Sequence, residues 1–125
     1  MSREEFYDDF NDFCRSLPAT TYVVQWGGSH VWKVGEKVFV IGGREKLDKP
    51  AFTFKASDLN FDVLRDELGF RSAPYMVSRG MKWIQQYDSP KIPEEQLKYY
   101  LKESHRMVSL GLSKKLQKQL GLNQA

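Results

Sequence analysis

The sequence predicts an α+β domain: one antiparallel sheet with helices packed against it, in the order α-β-β-β-β-α-β-β-α-α. Three observations carry that reading. Apolar residues recur at helical spacing near the start, in the middle and towards the end of the chain. The stretches between them are dense in β-branched and aromatic residues and are broken by glycine. At 125 residues the chain suits one domain, 1–125, with a core large enough to need no cross-links.

The first helix is read from Phe6, Phe10, Phe13, Cys14 and Leu17, which share one stripe, and Pro18 stops it. "TTYVVQW" then reads as a strand, and "GGS" at 27–29 breaks it. "HVWKVGEKVFVIGG" reads as a hairpin. Gly35-Glu36 is its two-residue loop, with Gly35 placed for a type II′ turn. That turn sets Trp32 across from Phe39 and Lys33 across from Val38. The charged "REKLDKP" reads as a connection, and "AFTFKA" resumes the sheet with Phe52 and Phe54 on one face.

Ser57 is placed to cap a helix from about Asp58, with Phe61, Leu64 and Leu68 inward and Gly69 at its end. "PYMV" and "KWIQQY" flank a turn at Ser78 to Met81, which predicts a second hairpin. Pro93 fits the first position of the next helix, where its missing N–H costs nothing, and Leu97, Leu101, Ser104 and Val108 hold the helical phase to Gly111. Leu112, Leu116 and Leu120 mark a short basic helix over about 112–121, with Lys114, Lys115 and Lys118 outward.

The formal net charge is only +3, but it is unevenly spread. Segments 1–17 and 58–70 are each net −3, whereas 31–57, 71–91 and 92–125 are each net +3. Cys14 is the single cysteine, so no internal disulfide forms and nothing has zinc-ligand spacing, which points to a reducing cytoplasm. The charged N-terminus lacks the apolar core of an export signal, and no apolar run is long enough to span a bilayer. No membrane partner and no cofactor are expected, and the chain is read as a monomer or weak dimer.

"VWKVGEKVFV", "LRDELGFRSAPYM", "KW" at 82–83 and "ESHRMVSLGLSKKL" stand in this order over almost the whole chain. In these words the chain resembles the YjbR/MmcQ family of small bacterial proteins. The resemblance implies a CyaY-like α+β fold and a proposed double-wing DNA-binding role. The chain departs from the family's pattern after "PYM", where "VSRGM" replaces a more polar, "NKRH"-like turn and thins the positive charge.

DNA is therefore the expected partner, held electrostatically and without base-specific reading. Lys33, Lys37, Lys46 and Lys55 are the candidate phosphate contacts in the first sheet segment, and Arg79 and Lys82 at the second hairpin. Trp83, or Trp32, is a candidate for stacking on a base. No helix-turn-helix or zinc finger is present. A protein-interaction or small-ligand adaptor using the same sheet surface is the alternative. A second alternative is metal, above all iron, on the acidic ridge of Glu4, Asp8 and Asp12. No enzyme is expected: His30 and His105 have no neighbouring nucleophile in sequence, Cys14 lies on an apolar stripe, and the glycine pairs lack a phosphate-loop setting.

Overall fold

The computed structural model describes residues 7–25, 27–46, 49–74, 80–87 and 94–124, with the side chains of 44–46, 49, 50 and 94 left aside. The elements follow the predicted order: α1 (Asp8–Ser16), β1 (Thr20–Gln25), β2 (Ser29–Val34), β3 (Lys37–Lys46), β4 (Lys49–Lys55), α2 (Asp58–Leu64), β5 (Phe70–Ser72), β6 (Trp83–Tyr87), α3 (Glu94–Leu110) and α4 (Lys114–Leu120). The six strands form one antiparallel sheet in the order β1-β2-β3-β4-β6-β5. The first four strands are a meander, and β6 then inserts between β4 and β5.

One face of the sheet carries the core. Phe52 and Phe54 of β4, Trp32 and Val34 of β2, Val40 of β3 and Ile84 of β6 meet Tyr7, Phe10 and Cys14 at the N-terminal helix, Phe61 and Leu64 of α2, and Leu101 and Val108 of α3. Burying each such side chain contributes about 1.5–3 kcal/mol. Phe10 lies directly on β3, because Gly42 has no Cβ there; a methyl at that position would collide with the ring. Ser57 and Ser113 cap α2 and α4 by accepting from the N–H groups of Asn60 and Leu116. Cys14 is fully buried, and burial pushes its thiol far above the ordinary range, which leaves it unreactive.

Several local expectations are corrected. Gly35 and Glu36 both have positive φ (56° and 68°), so the first turn is type I′ rather than II′. Lys33 does face Val38, but a β-bulge between Trp32 and Lys33 leaves Phe39 as the extra residue, and Trp32 faces Val40. The bulge turns two successive residues, Phe39 and Val40, into the core. "REKLDKP" is largely strand, since β3 and β4 extend to Lys46 and from Lys49. Helix α2 ends at Leu64, so Leu68 is 95% exposed rather than inward. Before the second tip the described strand is Phe70–Ser72, and residues 75–77 of the "PYMV" segment lie outside the described residues. At the C-terminus Leu112 and Leu116 face the core as expected, but Leu120 is exposed and Leu122, beyond the helix, is buried instead.

Candidate functional site

The opposite sheet face is built from the alternate residues of the same strands. Lys33 of β2, Val38 and Ile41 of β3, Thr53 and Lys55 of β4, and Gln85 and Trp83 of β6 belong to it through their cross-strand register. Val38 and Ile41 stand three apart, and two residues on one face of a regular strand stand an even number apart. The bulge at Phe39 supplies the missing step and brings both to the same side. Across β5, β6 and β4 runs a polar ladder. Arg71 donates from Nε and Nη2 to Gln85 Oε1 at 2.9 and 2.6 Å, and Gln85 Nε2 donates to Thr53 Oγ1 at 3.3 Å. The Arg71 guanidinium also lies 4.5 Å from the Tyr87 ring centre.

At one end of this face β3 and β4 part. Their ladder runs to Val40 opposite Phe54, and the next step would pair Phe39 with Lys55. There the Ser104 hydroxyl of α3 stands between the strands. It accepts from the Lys55 N–H at 2.9 Å and donates to the Phe39 carbonyl at 2.6 Å. Beside this gap is a cavity of about 750 Å³ lined by the turn residues Glu36 and Lys37, by Val38, Ile41, Lys55, Met81 and Trp83, and by Met107 and Val108 of α3.

Of the sequence-predicted site residues, Lys37, Lys55 and Trp83 line this one cavity, and Lys33 lies across from its wall residue Val38. No carboxylate among the described residues pairs with Lys33, Lys37 or Lys55. Lys82 behaves differently: its Nζ lies 3.1 Å from Asp58 Oδ1 at the start of α2. Lys46 sits in β3 opposite Lys49, with its side chain undescribed, and Arg79 lies outside the described residues. Trp83 is only 7% exposed, which makes it a wall rather than a free stacking platform. Trp32 is on the core face, where its Nε1 donates to Asn11 Oδ1 at 2.9 Å.

The acidic ridge is elsewhere. Asp8 and Asp12 are exposed on α1, Asp12 pairs with Arg15 at 3.0 Å, and Glu4 lies outside the described residues. Among the described residues no three His, Cys, Asp or Glu side chains converge, and no helix is long and apolar enough to cross a membrane. His105 is buried on the core side, where its Nε2 donates to the Pro18 carbonyl at 2.8 Å. Burial holds its imidazole below the ordinary range, against the smaller opposing effect of that hydrogen bond.

Sequence reasoning missed Met81, Ile41, Met107 and the Arg71–Gln85–Thr53 ladder. Met81 and the ladder depend on β6 lying beside β4, Ile41 on the bulge and Met107 on how α3 packs, none of which a local pattern signals.

Comparison with known proteins places the architecture. The YjbR family model matches residues 15–107. The crystal structure of the Deinococcus radiodurans protein DR2400, with a DUF419 domain, is similar with a TM-score of 0.77 and 21% identity, over 92% of this chain and 87% of that one. A Pseudomonas syringae crystal structure is similar with a TM-score of 0.63 and 15% identity, over 86% of this chain and 98% of that one. No curated protein matches the chain.

Proposed function

This chain belongs to the YjbR family, and from that premise we propose that it is a non-catalytic protein that binds the phosphate backbone of DNA weakly, through the basic end of its sheet. The observation that supports this is that Lys37 and Lys55 line one cavity and Lys33 lies across from its wall residue Val38, with no described carboxylate paired to them. Among the residues with described side chains, the acidic groups other than Glu36 lie on the helices or just after α2. A phosphate at each lysine releases a bound counterion, and that release drives binding without reading sequence. The low exposure of Trp83 favours backbone contact over base stacking.

Titration of labelled duplex DNA at several salt concentrations tests the reading. The logarithm of affinity is expected to fall by about 0.9 per phosphate contact for each decade of salt, hence with a slope of roughly −3 for these three lysines. Affinity that ignores salt, or no binding at low salt, removes the proposal.

A further inference from the structure

The cavity between β3, β4 and α3 is an open cleft too small for a duplex. Its volume of about 750 Å³ falls inside the range of about 300–1,000 Å³ typical of small-molecule sites. Its wall is apolar and soft, made of Val38, Ile41, Met81, Met107 and the indole of Trp83. Its charged lining residues are Lys37, Lys55 and Glu36. We propose that this cavity binds a small apolar monocarboxylate, with an aromatic or branched body against Trp83 and the methionines and its carboxylate between Lys37 and Lys55.

Charge decides the class. Two amines and one carboxylate leave the lining net positive by one, which complements a monoanion. A neutral apolar ligand would leave the lysines without a counter-charge, and a dianion would meet Glu36. Lys37 is exposed and Lys55 half-buried, so they differ in hydration. Lys55 is the stronger anchor, because a less hydrated amine gives up less water to an anion. Its backbone is fixed by the Ser104 hydroxyl, which holds the base of the side chain against the cavity. Thioethers and an indole favour a flat ligand body, through sulfur–ring and ring–ring contact.

The test is an amide-resolved NMR titration of the full chain with 3-phenylpropionate and with its neutral analogue 3-phenylpropionamide, in the absence of DNA. The expected result is saturable shifts at Val38, Ile41, Lys55 and Met107, with the amide bound at least fivefold more weakly. Lys55→Met keeps the stem and removes the charge, and is expected to weaken carboxylate binding at least fivefold. Should that variant fail to fold, Lys37→Met at the exposed turn position is expected to weaken it at least twofold. Shifts that do not saturate, or equal binding of acid and amide, overturn the proposal. Since nucleic acid is absent, the outcome is independent of the duplex titration.

Discussion

The Ser104 hydroxyl donates to the Phe39 carbonyl at 2.6 Å while accepting from the Lys55 N–H. One helix side chain thereby takes the place of a missing ladder bond. The β-bulge has made Phe39 the unpaired residue of β3, and Ser104 supplies its carbonyl with a partner. Ser104 is fully buried, so no water replaces it. Ser104→Ala leaves the part-buried Lys55 N–H and the buried Phe39 C=O without this partner, and is expected to lower stability by about 1–3 kcal/mol. A urea midpoint equal to that of the wild type would show that the clamp contributes nothing.

Gly35 touches the helical layer from the turn. A Cβ there would lie 2.5 Å from Leu112 Cδ1, on a backbone with φ +56°. Gly35→Ala is expected to cost about 1–3 kcal/mol. Leu112 is buried, so the ring of neighbours around it gives little room. Combining Gly35→Ala with Leu112→Val, which trims the colliding branch, is expected to cost less than the two changes summed. Simple additivity in thermal unfolding would count against the contact.

Glu36 pays for the same turn in backbone strain, at φ +68° with a full side chain. Glu36→Gly is expected to stabilise the chain by about 0.5–1 kcal/mol, because glycine enters the left-handed region freely. The chevron plot is the measurement, and a loss of stability would refute the turn assignment.

His105 sets an acid dependence. Its folded-state pKa lies below the ordinary 6.5 because it is buried. Below pH 6.5 the unfolded chain therefore takes up more protons than the folded one. Its contribution is complete above pH 6.5 and is lost as the pH falls through the folded-state value. His105→Gln keeps a donor for Pro18 and does not titrate, so the difference between its unfolding midpoint and that of the wild type is expected to change between pH 7.5 and pH 5. A constant difference would rule out His105 as the source.

Four candidate lysines, Lys33, Lys37, Lys55 and Lys82, are expected to differ in the duplex titration. Lys33, Lys37 and Lys55, changed singly to Gln, are each expected to lower the salt slope by about one. Lys82 already faces Asp58, so Lys82→Gln is expected to lower it by less. Equal effects from all four would show that the Asp58 pair is open in solution, as exposed pairs worth about 0–1 kcal/mol can be.

Element order was legible because the periods of Phe10–Leu17, "AFTFKA" and Leu97–Val108 are unambiguous. The bulge was not, because Val38 to Ile41 is an unbroken apolar run that hides which residue is doubled. The type of the turn was half legible: Gly35 announces a positive φ, whereas nothing about Glu36 does. At the site, Lys37, Lys55 and Trp83 were named one by one, yet their meeting depends on long-range register. The loss of Lys82 to Asp58 depends on where α2 begins against β6, a tertiary fact.

The position of β6 between β4 and β5 also bears on how the chain is born. As it emerges from a ribosome, β1 to β4 can pair in sequence, each strand with the one just made. The outer edge of β4, carrying Phe52 and Phe54, then stays open until residues 83–87 emerge, and α3 arrives later still. For that interval a sticky apolar ribbon faces solvent, so a translational pause between positions 56 and 83 should raise the yield of aggregate.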